Sequence, residues 1–83
     1  MTADNDGFSD IIVLEQPARR AWLREWLVRM GLANANQAAA VLCLDRRTVE
    51  RMVYDNQVNP VRITNAVLKL AWALEQLRLT NRV

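Results

Sequence analysis

The segment from residue 46 to residue 51 is rich in side chains suited to contacts with a charged partner. It contains Arg46, Arg47, Glu50 and Arg51. On an α-helix, Arg47 and Arg51 lie one turn apart on the same face. The planar guanidinium group donates paired hydrogen bonds to phosphate oxygens and to the major-groove edge of guanine. Glu50 is suited to accept from a cytosine amino group or to orient a neighbouring arginine.

Residues that commonly support catalysis or metal binding are scarce. The chain has no histidine, and Cys43 is its one cysteine. This composition excludes Ser-His-Asp and Cys-His nucleophiles, zinc fingers and internal disulfides. Only Gly7 and Gly31 are glycines, so the sequence has no glycine-rich phosphate loop. We therefore predict that the protein is not an enzyme and that it has no catalytic residue, metal site or cofactor.

Charge is distributed unevenly along the chain. Residues 1–15 contain four acidic residues and no basic one, whereas residues 16–83 hold all eleven basic residues and the other five acidic ones, a net charge of +6. Such a basic body suits a polyanionic partner. Ten of the eleven basic residues are arginine. Because a GC-rich genome also favours arginine codons, the arginine bias alone does not identify the partner.

Length and hydropathy indicate one small globular domain. A chain of 83 residues has a thin stability margin, since it buries about 60–65% of its unfolded surface. Hydrophobic residues make up 52% of it, which argues against disorder, yet no apolar run approaches the roughly 18–20 residues of a membrane span. The N-terminus is acidic, unlike a signal peptide. We expect a soluble, cytoplasmic protein without membrane contacts, stabilised as an oligomer.

Apolar periodicity predicts an all-α fold of four to five helices behind a flexible N-terminal arm. The arm covers residues 1–15, and its apolar run at 11–14 either packs on the core or pairs across a dimer. Residues 16–83 form the helical domain. We assign Trp22 and Trp26, one turn apart, to its core. The predicted helices run from Pro17 to about Met30 with Gly31 as C-cap, within Asn34–Cys43 with Asn34 or Asn36 as N-cap, from the N-cap Asp45 to Tyr54 or Asp55, and from Asn59-Pro60 to about Leu79.

The last predicted helix carries more apolar surface than one contact with the domain requires. One stripe, from Ile63 to Leu77, is expected to pack on the other helices. A second, offset stripe is surplus, and surplus apolar surface on a small domain indicates a partner, unless this helix is buried on all sides. The predicted dimer interface is this second stripe, made of Leu68, Trp72 and Leu79.

The two short helices around residues 43–45 have the pattern of a helix-turn-helix. A small residue, Ala39, lies where the second helix crosses the first closely. Leu42 and Leu44 flank the turn and fix it to the core, while Val49 and Met52 face inward from the second helix. Two helices joined by three or four residues in this way are typical of DNA-binding domains.

On these residues the chain resembles the phage-repressor (Xre, lambda-repressor-like) helix-turn-helix family, over roughly residues 19–78. Two positions depart from the family pattern: Cys43 stands where glycine is usual in the turn, and Ala35 stands where glutamine is common. In its length and long last helix the chain is also similar to small autorepressors of phage anti-CRISPR operons and to helix-turn-helix antitoxins. The residues that carry the resemblance are Ala39, Leu42, Cys43, Leu44, Asp45, Thr48 and Val49.

The resemblance implies that the helix at residues 45–55 enters the major groove of double-stranded DNA. Arg46, Arg47, Glu50 and Arg51 are then the candidate base-reading residues. The candidate contacts to the DNA backbone are Asn36, Gln37, Thr48, Tyr54, Asn56 and Arg62.

The function that we expect is therefore transcriptional regulation by a homodimeric repressor, or autorepressor, that reads an inverted repeat. One recognition helix covers few base pairs, so a two-fold dimer is needed for selectivity. No small-molecule effector is expected, because the helices and the arm use up the chain. The alternative is a small helical protein-protein interaction module, such as an antitoxin or inhibitor, built on the same scaffold.

Overall fold

A computed structural model describes residues 3–54 and 61–80 of the chain. Within these ranges all regular structure is helical, as the sequence predicted. None of these helices is long and apolar enough to span a bilayer. The five helices are α1 (Ala3–Ile12), α2 (Gln16–Arg29), α3 (Ala35–Leu42), α4 (Arg46–Val53) and α5 (Asn65–Thr80).

The core forms around α2 and α5. Leu23 and Trp26 of α2 are almost completely buried, as are Leu68 and Ala71 of α5. The indole Nε1 of Trp26 donates a hydrogen bond of 2.7 Å to the backbone carbonyl of Ala71. A small residue at position 71 allows this close approach, and the bond satisfies the polar end of a buried tryptophan. The assignment of Trp26 to the core is confirmed.

The N-terminal arm is a helix rather than a flexible segment, so that prediction was wrong for residues 3–12. Helix α1 packs on α5, where the rings of Phe8 and Trp72 lie 5.6 Å apart and Ile11 is buried. A Cβ at Gly7 would come within 3.3 Å of Trp72 Nε1, so glycine permits the close contact between the helices. Asp, Asn, Gly and Ser are weak helix formers, and packing on α5 compensates for them.

A buried arginine joins α1, α2 and the start of α5. Arg19 is 9% exposed, and its guanidinium donates four hydrogen bonds of 2.7–2.8 Å. Two of them end on the carbonyls of Ile12 and Leu14, at the C-terminal end of α1, where the helix dipole favours a cation. The other two end on the Ile63 carbonyl and on Asn65 Oδ1. Arg19 is therefore part of the fold and is not available to a ligand.

The last helix begins at Asn65, several residues later than the predicted start. Asn59 and Pro60 lie outside the described residues, and residues 61–64 are not helical. The side-chain amide of Gln16 holds this segment: Oε1 accepts from the Ile63 N–H at 2.6 Å and Nε2 donates to the Ile63 carbonyl at 3.0 Å. Because both backbone groups of Ile63 are satisfied by Gln16, residue 63 does not need a helix to pair them.

The face of α5 that packs on the domain also differs from the prediction. Leu68, predicted to lie in a dimer interface, is fully buried within the monomer, and Trp72 is partly covered by Phe8. Leu70 and Leu77, predicted to face the core, are 40% and 59% exposed, whereas Leu79 is 52% exposed at the end of the helix. The prediction assigned the wrong face of α5 to the core because apolar residues occur on nearly all sides of this helix. The contact between Trp26 and Ala71 determines which face is buried.

Candidate nucleic-acid interface

Helices α3 and α4 form a compact pair joined by the three residues 43–45. Each helix has a side-chain cap at its start. Asn34 Oδ1 accepts from the N–H of Gln37 at 3.1 Å, and Asp45 Oδ2 accepts from the N–H of Arg47 at 3.0 Å. Both caps satisfy N–H groups that have no partner within the helix. The predicted boundaries of both helices are confirmed to within one or two residues.

The turn between the two helices requires a left-handed backbone conformation. Cys43 has φ 58° and ψ 41°, and its N–H donates to the Ala39 carbonyl. The N–H of Leu44 donates to the same carbonyl at 2.9 Å. This arrangement ends a helix and reverses the chain, and it usually contains glycine at the position of Cys43. The side chain of Cys43 is exposed, so it contributes little to packing.

Replacing Cys43 with glycine is expected to stabilise the protein by about 1 kcal/mol, because glycine adopts positive φ without the steric cost paid by other residues. Urea unfolding monitored by circular dichroism measures the change. Gly31→Ala is the matched control, and it should lower the stability instead of raising it, since Gly31 has φ 72° and alanine would be strained there. An unchanged or lower stability of Cys43→Gly would contradict the assigned role of the turn.

Helix α4 separates its apolar and charged residues onto opposite faces. Val49, Met52 and Val53 are buried against the core. On the other face, Arg46 and Arg47 are exposed near the start of the helix, and Arg51 follows half-buried one turn later. Glu50 and Thr48 are also half-buried. All four predicted base-reading residues therefore lie on α4, away from its buried face.

The charged groups on α4 are not equivalent. Arg46 Nε lies 3.9 Å from Glu50 Oε2, so a carboxylate partly offsets its charge. Within the part of the chain that the structure describes, the side chains of Arg47 and Arg51 form no hydrogen bond or ion pair. Beside Arg47, an open depression of about 300 Å³ is lined by Asp45, Arg46 and Arg47. Among the described residues, Arg47 and Arg51 are thus the cations of this face whose side chains have no polar partner.

Several other arginines are used within the fold. Arg29 forms two hydrogen bonds to the carboxylate of Glu75, at 2.6 and 3.1 Å, and its guanidinium lies 5.3 Å from the centre of the Trp22 ring. Arg78 donates to the Met30 carbonyl at the end of α2. Together with buried Arg19, these contacts show that three of the ten arginines serve the fold.

Sequence reasoning missed one residue that positions α4. Arg24 Nη1 donates a hydrogen bond of 2.8 Å to the carbonyl of Val53, the last residue of α4. This bond ties the C-terminal end of α4 to α2 and places a cation where the helix dipole favours one. The contact spans 29 residues, and no local pattern around Arg24 indicates it.

The predicted contacts to the DNA backbone that the structure describes lie on α3, on α4 and in the segment before α5. Asn36 and Gln37 are exposed in the first turn of α3, although Gln37 Oε1 already accepts from the N–H of Ala33 at 2.7 Å, which leaves the Nε2 amide as its donor. Tyr54, at the end of α4, is 41% exposed. Arg62 is exposed, and the neighbouring Val61 N–H contacts the Arg51 carbonyl at 3.4 Å. Asn56 lies outside the described residues.

Among the residues that the structure describes, no group of three or more His, Cys, Asp or Glu side chains is placed to hold a metal ion. The described residues form a small all-α fold in which the arginine-rich helix α4 packs beside α3. No protein-family model matches the chain, and no curated protein or solved structure matches it significantly.

Proposed function

We propose that the protein is a sequence-specific double-stranded DNA-binding transcriptional regulator in which α3 and α4 act as a helix-turn-helix. The observation that carries the proposal is the pair of exposed Arg47 and half-buried Arg51, one turn apart on a helix whose opposite face is anchored in the core. A rigid helix that presents two arginines at this spacing is suited to bidentate contacts with guanine in the major groove.

Exposed polar residues near α4 are the candidates for the backbone contacts that such a docking needs. Phosphate contacts fix the register of a recognition helix, while base contacts specify sequence. Asn36 and Gln37 are exposed at the start of α3, and Arg62 is exposed next to Val61, whose N–H contacts the Arg51 carbonyl of α4. Because one helix reads few base pairs, the regulator acts as a homodimer on an inverted repeat with half-sites about 34 Å apart, or a multiple of that distance. We expect the regulator to repress its own gene.

The test is fluorescence anisotropy with the DNA directly upstream of the protein's own coding sequence, beside a scrambled duplex of equal length. We expect saturable binding to the native fragment at least 100-fold tighter than to the scrambled one. Affinity is expected to fall steeply between about 50 and 200 mM salt, because each phosphate contact contributes roughly −0.9 to the slope of log K against log salt.

Two outcomes would contradict this proposal. Equal, weak binding to both duplexes that disappears with salt would reduce α4 to a basic surface without sequence readout. Absence of selection from a randomised duplex library would exclude a target elsewhere in the genome. Either result would favour the protein-protein interaction module as the function.

A further inference from the structure

The C-terminal end of α4 receives hydrogen bonds from two other parts of the chain. Arg24 Nη1, on α2, donates to the Val53 carbonyl at 2.8 Å, and the N–H of Val61 lies 3.4 Å from the Arg51 carbonyl. The first distance is typical of a good N–H···O bond, whereas the second is longer than usual. Because a charged donor also strengthens a hydrogen bond, the bond from Arg24 is the stronger of these two contacts.

We infer that Arg24 is a positioning residue for sequence readout: it binds no base itself, but it fixes the angle of α4 and so allows Arg51 to distinguish one base from another. The inference deepens the proposed function and rests on it, because readout requires a DNA target. One part of the test below uses no DNA, so a failure of the anchor at Arg24 and a failure of DNA binding are separate results.

Helix α4 has only eight residues, so few contacts fix its angle. At its start, the three-residue turn and the Asp45 cap, which accepts from the Arg47 N–H at 3.0 Å, tie the helix to α3. Along its length the apolar face is buried in the core, but hydrophobic contacts are not directional. A hydrogen bond is directional, so the bond from Arg24 to Val53, at the end farthest from the turn, fixes the angle.

Distance from the turn determines which arginine depends on this anchor. At a rise of about 1.5 Å per residue, Arg47 lies about 3 Å along the helix from Asp45, and Arg51 lies about 9 Å from it. A tilt of about 10° around the cap therefore moves the backbone at Arg51 by about 1.6 Å, but at Arg47 by about 0.5 Å. Because binding groups must be held within about 0.5 Å of their productive geometry, such a tilt removes the base contact of Arg51 and leaves that of Arg47.

The first part of the test measures the discrimination ratio, which is the affinity for the DNA upstream of the coding sequence divided by that for the scrambled duplex. Arg24→Met keeps much of the aliphatic side chain but removes the donor. It should lower the ratio about 10-fold, which corresponds to the loss of one bidentate contact. Arg78→Met is the matched control, because it removes one positive charge and a similar bond, from a guanidinium to the Met30 carbonyl at the end of α2. This control should leave the ratio unchanged.

Rescue and double variants test whether Arg24 acts through Arg51. Arg24→Lys should restore the ratio to within about threefold of the wild type, because an ammonium group can donate to the single carbonyl that has to be held. In an Arg51→Ala background, Arg24→Met should have no further effect on the ratio, since the dependent base contact is already lost. In an Arg47→Ala background it should still lower the ratio about 10-fold, because effects on independent contacts are additive.

NMR of the free protein tests the anchor without DNA. Residual dipolar couplings of the backbone N–H groups report the orientation of each helix. In Arg24→Met, the couplings of α4 should depart from the orientation that α2 and α5 define, by a tilt on the order of 10° or by averaging over such a range. In wild type and in Arg78→Met, all three helices should fit one orientation. A general loss of stability would not change the angle of one helix, so this measurement separates positioning from folding.

Three results would overturn the inference. Equal weakening of both duplexes by Arg24→Met, with a shallower salt dependence, would make Arg24 a phosphate contact. An equal fall of the ratio in the Arg47→Ala and Arg51→Ala backgrounds would show that Arg24 does not act through Arg51. An unchanged orientation of α4 in Arg24→Met would show that Arg24 does not set its angle. A wild type that binds both duplexes alike would overturn the proposed function, and the readout role of Arg24 with it, whatever the dipolar couplings show about the anchor.

Discussion

Replacing Arg47 with alanine is expected to weaken binding to the operator by about 10- to 100-fold, because one bidentate arginine–guanine contact contributes roughly 1–3 kcal/mol of discrimination. The fold should be unaffected, since the side chain is exposed and forms no hydrogen bond or ion pair within the described part of the chain. Arg47 is a better choice than Arg46, whose guanidinium lies beside Glu50. Anisotropy titrations against operator and scrambled duplexes measure the effect.

Two control variants separate sequence readout from charge. Lys69→Gln removes a positive charge from α5, distant from α4 in the chain, and should change affinity for both duplexes little. Arg62→Ala removes a predicted phosphate contact, so it should weaken binding to both duplexes alike and reduce the salt slope by about one. If Arg47→Ala behaved as Arg62→Ala does, Arg47 would bind phosphate rather than a base. Unchanged operator affinity would exclude Arg47 from the interface.

The helices of the candidate site were predictable because the capping residues and the turn that mark their ends are local in sequence. Asn34 and Asp45 lie next to the helices that they cap, and the turn at Cys43 follows from residues within five positions of it. The inward face of α4 likewise follows from the spacing of Val49, Met52 and Val53. Helix capping and amphipathicity depend on residues a few positions apart, so they can be predicted from a single sequence.

The parts that sequence reasoning placed wrongly depend on contacts between distant residues. Helix α1 has weak helix formers and exists through Phe8–Trp72 packing and the bonds from Arg19 to its C-terminal end. The late start of α5 follows from the pairing of Gln16 with Ile63, which are 47 residues apart. The buried face of α5 depends on where Trp26 meets Ala71. Neither helix propensity nor hydrophobic periodicity predicts these pairings between distant residues.

The division of the arginines into two groups explains why composition overstated the basic surface. Arg19 is buried, Arg29 is paired with Glu75, and Arg78 caps α2, so their charges serve packing and helix ends. Among the described residues, the exposed side chains of Arg46, Arg47 and Arg62 and the half-buried side chain of Arg51 lie on or beside α4. A small domain with a thin hydrophobic core uses arginine both as structural support and as a binding group, and the contacts of each side chain distinguish these roles.

Substitution of Arg19 by methionine is expected to destabilise the fold strongly. Methionine retains much of the aliphatic volume but removes four hydrogen bonds of 2.7–2.8 Å. The carbonyls of Ile12 and Leu14 and the Asn65 side chain lose this donor, and the Ile63 carbonyl keeps only the bond from Gln16. With about 1 kcal/mol for each lost bond, more where an acceptor stays buried, the cost is roughly 3–5 kcal/mol.

That cost is comparable with the whole stability expected of a domain of this size, so Arg19→Met should be largely unfolded at 37 °C. Urea unfolding at 10 °C by circular dichroism measures the loss. Arg19→Lys should recover only part of it, because an ammonium group cannot donate to four acceptors arranged around a planar fork. Arg29→Met is the control, since its bonds to Glu75 are exposed and should contribute no more than about 1 kcal/mol. Equal losses for the two methionine variants would show that Arg19 does not join α1 to the start of α5.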